Sequence, residues 1–229
     1  DKDAIINTIN EGEIYRFINK PWNNDDIKKV VREAAEASRF DVLTVGDAVK
    51  KVFNKQSVLE YLAKNNPDQG VVVLGSSQTL RNQVRTFCRK HSLNIYGAQS
   101  IPQVLGIVSA KPTIGVAVIE LPLSTDEAIL TINVLKEKRP ELITIVLTDE
   151  TDADTAIELI NSGQVFRYLT KPIETKELTV AIEQAFNRHA VINSQSSLKA
   201  RYKVEKTKRT ITDSLKDIFS SFTRLKRHI

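Results

Sequence analysis

From Val71 onward the chain alternates short, largely apolar runs with longer stretches of helical periodicity. The runs are Val71–Leu74, Asn94–Ala98, Ile114–Ile119, Ile143–Leu147 and Val165–Leu169, with helical stretches near 79–90, 101–109, 126–138, 152–162 and 175–188. A strand with one face in water alternates apolar and polar side chains, whereas one that is apolar throughout must be covered on both faces. A helix after each run returns the chain to the starting end of the sheet and so predicts parallel pairing. Five such units predict a doubly wound, five-stranded parallel α/β domain over 70–192, with any site at the carboxyl ends of the strands.

The last unit is written twice. Ile160-Asn161-Ser162-Gly163-Gln164-Val165-Phe166-Arg167-Tyr168-Leu169-Thr170-Lys171-Pro172 is matched, 151 residues earlier, by Ile9-Asn10-Glu11-Gly12-Glu13-Ile14-Tyr15-Arg16-Phe17-Ile18-Asn19-Lys20-Pro21. Gly, Arg, an aromatic, Lys and Pro stay in register, which marks an internal repeat. Residues 1–40 are therefore expected to be the C-terminal part of a first copy. They comprise the end of a helix (Ala4–Asn10), a strand (Ile14–Ile18) and a helix from Asp25 capped by Asn23 or Asn24. One strand does not make a sheet. The chain begins at Asp1 and contains no methionine, so it is expected to be an internal stretch of a longer protein. Either the upstream part or another element would complete the first copy.

Apolar residues at 41% with 27% charged ones fit a globular domain. No run approaches the roughly 18 apolar residues of a membrane span. Cys88 is the single cysteine, which rules out an internal disulfide or a cysteine zinc cluster and suits a reducing cytoplasm. His91, His189 and His228 have no ligand spacing and are expected at the surface, with Cys88 in the core. Leu74-Gly75-Ser76-Ser77 lacks the lysine of a phosphate-binding P-loop, and no catalytic triad can be argued. No enzymatic activity, catalytic residue, metal or cofactor is expected. The net charge of +5 is misleading as an average, because Gln195–Ile229 carries ten Lys or Arg against three acids, a net of +7 that leaves −2 for the rest.

Residues 71–190 resemble the response-regulator receiver domain, the CheY-like phosphoacceptor module of two-component signalling. Residues 3–40 resemble the last third of another. The resemblance implies a flavodoxin-like sheet. It also implies a site made of an acidic pair after the first strand, an aspartate nucleophile after the third, a hydroxyl residue after the fourth and a lysine after the fifth. Phosphoryl transfer needs an in-line oxygen nucleophile and a metal and cation to neutralise the moving charge. Here the acidic pair is replaced by Leu74-Gly75-Ser76-Ser77, and Glu120 stands in the aspartate's place. Thr148, Lys171 with Pro172, and the switch aromatic Tyr168 are present; Lys20-Pro21 repeats the turn in the first copy. Gly75, Ser76, Glu120, Thr148 and Lys171 thus read as a degenerate phosphoacceptor site. Glu120 is expected to reach Lys171 and fill the space of a phosphoryl group. The Lys171–Pro172 bond is expected to be cis if the family pattern holds. A working phosphoacceptor receiver is the competing reading.

Two heptad-like seams complete the pattern. Val31, Ala35, Ser38, Val42, Val45, Val49, Val52, Gln56 and Leu59 step by four and three and predict a helical linker region over 41–69 whose helix ends before Asn65, either solvent-facing and packed on its neighbours or paired in a coiled coil. Ile211, Leu215, Ile218, Phe222, Leu225 and Ile229 do the same within a basic amphipathic helix over 193–229, a candidate coiled coil. Such a helix is marginal alone and needs a partner. A second chain, giving a homodimer, is the expected one, with other signalling proteins meeting the face 153–162, 165–169 and 175–188. Nucleic-acid binding by the basic tail is a further alternative, but the tail has no recognisable binding fold and few aromatics for stacking.

Overall fold

In the computed structural model, residues 8, 10, 17–18, 20–41, 58–66, 68–121, 125–149, 153–163 and 165–194 are described. Helices α1 (Asn24–Asp41) and α2 (Val58–Asn65) precede an alternating series. It runs β1 (Gly70–Leu74), α3 (Gln78–Lys90), β2 (Asn94–Ala98), α4 (Ile101–Ala110), β3 (Ile114–Leu121), α5 (Thr125–Lys138), β4 (Ile143–Thr148), α6 (Ala153–Gly163), β5 (Arg167–Thr170) and α7 (Thr175–Ser194). The strands form one sheet in the order β2-β1-β3-β4-β5 with every pairing parallel. This is the doubly wound fold that the apolar runs predict.

The two-residue period of a strand divides the core into two layers. Val72, Leu74, Ala117, Ile119, Val146 and Tyr168 face α4, α5 and α6, where Val104, Ile132 and Leu159 are buried. Val71, Val73, Val116, Val118, Ile145, Leu147 and Leu169 face α3 and α7, against Val84, Phe87, Ile182 and Phe186. Helix α2 lies in the stretch expected to be a linker, yet it buries Leu59 and Leu62 in the second layer. On α1, Ile27, Val30 and Ala34 are partly buried while the seam positions Val31 and Ala35 are exposed. Asn23 caps α1, its side-chain oxygen accepting the Asp25 N–H at 2.8 Å.

Two sequence expectations change. His189 is buried rather than at the surface. Its Nδ1 lies 2.9 Å from the Glu141 carbonyl and its Nε2 2.7 Å from Asn193 Nδ2. The amide can only donate, so Nε2 accepts and Nδ1–H donates, which fixes a neutral ring. β5 begins at Arg167 rather than Val165. Cys88 is buried as expected, and burial pushes its thiol up to about 12. The expected strand Ile14–Ile18 (apart from Phe17 and Ile18), the linker seam from Val42 to Gln56 and the whole C-terminal seam lie outside the described residues.

Candidate functional site

Sheet order places the site. The chain leaves β1 toward β2 on one side and β3 returns on the other, which opens a crevice at the carboxyl ends of β1 and β3. Register then sets depth. Leu74 pairs with Ile119, Leu121 with Thr148, and Thr148 with Thr170. β3 runs two residues past the end of β1, to the level of Thr148 and Thr170, and Gly75, Glu120, Thr148 and Lys171 come to one rim. Glu120 follows Val116 and Val118 at the strand period and emerges on the α3 side of the sheet.

There Glu120 is almost fully buried, at 5% exposure. Its Oε1 lies 2.9 Å from Lys171 Nζ, and its Oε2 accepts the Ser77 N–H at 2.9 Å. Ser77 is the N-cap of α3, and its Oγ accepts the Leu80 N–H at 3.2 Å. The carboxylate therefore sits against the positive end of a helix as well as against an ammonium. Burial alone would raise its pKa. The N–H groups of Ser77 and Ser76 together with Lys171 outweigh burial and hold the carboxyl below its ordinary 4.5. Lys171 is displaced the other way. Burial opposes its charge, but Glu120 and Asp149 (Oδ2 at 3.1 Å) raise it above 10.5.

The opposite wall is built for this carboxylate. A Cβ on Gly75 would lie 2.4 Å from Glu120 Oε2 and 2.6 Å from its Cβ, so a side chain at 75 and the present Glu120 cannot share the space. The Gly75 peptide is pinned as well. Its N–H donates to the Ala98 carbonyl at 3.1 Å, and its carbonyl accepts from Arg81 Nη2. Thr148 is buried at the end of β4 and its carbonyl accepts the Lys171 N–H at 2.8 Å. Tyr168 is fully buried in the α4–α6 layer. Both Lys171–Pro172 and Lys20–Pro21 are cis.

The resemblance to receivers implies a Mg²⁺ held by carboxylates at this rim, and the residues present do not fit that ion. Mg²⁺ takes oxygen ligands in near-octahedral geometry, anchored by one or two carboxylates. Positions 74–77 offer none, and both oxygens of Glu120 are engaged by Lys171 and Ser77. Among the described residues no group of three or more His, Cys, Asp or Glu could hold a metal.

The structure brings Gly75, Glu120 and Lys171 into one cluster, with Ser76 and Thr148 on its borders. Sequence reading missed Arg81 and Asp149. Arg81, one turn into α3 and able to fold back on the loop, left a signal only in its spacing from Ser77. Asp149, next to Thr148, left one in its charge.

Residues 71–183 match the family model of the response regulator receiver domain, and this part of the chain is a receiver domain of two-component signalling. Among curated proteins, the chain is 26% identical over 115 residues to the photosynthetic apparatus regulatory protein RegA of Cereibacter sphaeroides. That match takes in 50% of this chain and spans 61% of the relative's length. A response regulator receiver domain protein from Clostridium thermocellum is similar at 23% identity, covering 54% of this chain and 98% of its own, with a TM-score of 0.47. An uncharacterized protein from Neptuniibacter caesariensis is similar at 16% identity over 56% of this chain and 93% of its own, with a TM-score of 0.50. The second of these structural likenesses bears on the fold alone, and nothing is argued from the first. No helix among the described residues is long and apolar enough to cross a membrane.

Proposed function

We propose that residues 70–192 are a receiver that takes no phosphoryl group and acts as a contact module, relaying a conformational signal between proteins in the cytoplasm. The observation that carries this reading is the buried Glu120–Lys171 pair, closed on its other oxygen by the Ser77 N–H. An acyl phosphate would need that carboxylate free, a cation beside it, and Lys171 available to the incoming oxygens. In this chain the lysine is already spent on the acceptor, and no carboxylate follows β1 to hold the cation.

A module without phosphoryl chemistry must work through its surfaces. The face made by 153–162, 165–169 and 175–188 would meet signalling partners. The C-terminal seam of Ile211, Leu215, Ile218, Phe222, Leu225 and Ile229 would pair two chains, a role supported by its unbroken heptad spacing. The experiment is a titration of the chain with beryllofluoride and Mg²⁺, followed by amide chemical shifts around Glu120 and Lys171. The reading expects no saturable change; a stoichiometric Mg²⁺-dependent complex would contradict it.

A further inference from the structure

The edge of the sheet carries a contact that the receiver's own fold does not require. β5 is the last strand of the described sheet, so alternate peptide groups along it face outward, and among the described residues no strand pairs them. At Tyr168 both outward groups are taken by one side chain from the other end of the sequence. Tyr168 N–H donates to Asn10 Oδ1 at 3.1 Å, and Asn10 Nδ2 donates to the Tyr168 carbonyl at 2.7 Å. A carboxamide offers one donor and one acceptor in the plane and spacing of a peptide. Asn10 therefore substitutes for a neighbouring strand at a single residue.

The same pair of bonds occurs with the roles exchanged. Phe17 N–H donates to Asn161 Oδ1 at 2.8 Å, and Asn161 Nδ2 donates to the Phe17 carbonyl at 3.0 Å. Asn10 and Asn161 occupy equivalent positions of the repeat, as do Phe17 and Tyr168, each 151 residues apart. The two contacts are thus one contact made twice, copy one on copy two and copy two on copy one. Reciprocity of this kind defines an isologous interface, in which a surface is complementary to itself. Phe17 also packs on the α4–α6 layer of the receiver, so apolar burial accompanies the four hydrogen bonds.

We infer that the repeated Asn and the residue seven positions after it form a docking device, by which the described part of the first repeat copy seats on the second within one chain, the two pairs of contacts being related by an approximate two-fold exchange of roles. Asn10 and Asn161 are its recognition residues. In each copy the Asn is the key, and the peptide of the aromatic residue seven positions on is the lock. The inference shares with the proposed function only the face it uses and holds whether or not Glu120 can be phosphorylated.

The test is site-resolved amide exchange on the ¹⁵N-labelled chain 1–229, with Asn10→Ala and Asn161→Ala as variants and Val146, deep in the core, as a control amide. Asn10→Ala is expected to speed exchange at Tyr168 by roughly tenfold or more, for the hydrogen bond lost, and at Phe17 by less. Asn161→Ala is expected to give the mirror image. Asn10→Gln and Asn161→Gln keep the carboxamide but move it by a methylene, and are expected to repeat the crossed pattern without disturbing helix propensity. Protection should not change on tenfold dilution. Three results would overturn the inference: neither amide responding, both responding equally in each variant, or protection falling on dilution, which would assign the contact to a second chain. The phosphoryl tests read a different site, so either account can fail without the other.

Discussion

At Glu120 burial and pairing pull in opposite directions, and the direction of the shift says which prevails. Because its carboxyl is held below 4.5 in the folded chain, the pair's stabilisation is present in full above that pH and drains away as pH falls through the depressed value. Lys171 is raised, so on the alkaline side the stabilisation is intact below 10.5 and is lost only as pH climbs through the raised value. Glu120→Gln keeps the shape but not the charge. It is expected to cost about 1–3 kcal/mol near neutral pH and to flatten the acid limb of stability, as read by urea unfolding between pH 3 and 7. Equal acid limbs in the two proteins would remove the pair from the account. Gly75 is the complementary position. Gly75→Ala would set a Cβ 2.4 Å from Glu120 Oε2 and is expected to cost about 1–3 kcal/mol by overpacking, measured in the same way. The composition of this site was legible in the sequence, because residue types at strand ends can be counted without coordinates. Its closure was not. That Ser77 N–H and Arg81 lock the loop around Gly75 depends on the path of a turn, and the sequence gives only its length.

At the scale of elements, β1, β4 and most of β5 were readable because they are buried on both sides and burial leaves a compositional mark, whereas the edge strand β2 buries only Ala98 and was legible from its place in the alternation. Boundaries were less so. β5 gives up Val165 and Phe166 because Phe166 N–H reaches the Thr144 carbonyl ahead of the regular ladder. His189 was misjudged for a different reason: Ala185, Phe186, His189 and Ile192 share one helical face, and the polar residue in that stripe is buried with the rest. Helix α2 shows what a seam leaves open. Leu59 ends a four-and-three pattern that suggests a helical linker, and it is buried with Leu62 in the α3–α7 layer. Leu59→Ala is accordingly expected to cost about 2–5 kcal/mol of receiver stability, seen as a lowered denaturation midpoint with an unchanged slope. A cost below about 0.5 kcal/mol, the range of surface substitutions, would return α2 to the linker.

For the whole molecule, the chain joins two copies of one motif to a basic tail, and its charge follows that division. With the tail at +7 and the remainder at −2, the basic character stays outside the receiver. If the C-terminal seam pairs chains, sedimentation of residues 1–229 will report a dimer, and removal of 195–229 will leave a monomer. A dimer that survives truncation would move the pairing to the body of the protein. The account turns most on whether this receiver can be phosphorylated. Incubation of the chain with acetyl phosphate and Mg²⁺, followed by intact-mass and peptide analysis, reads this directly. The account predicts no phosphoryl adduct on Glu120 at any Mg²⁺ concentration; a Mg²⁺-dependent, hydroxylamine-labile adduct on that residue would contradict it.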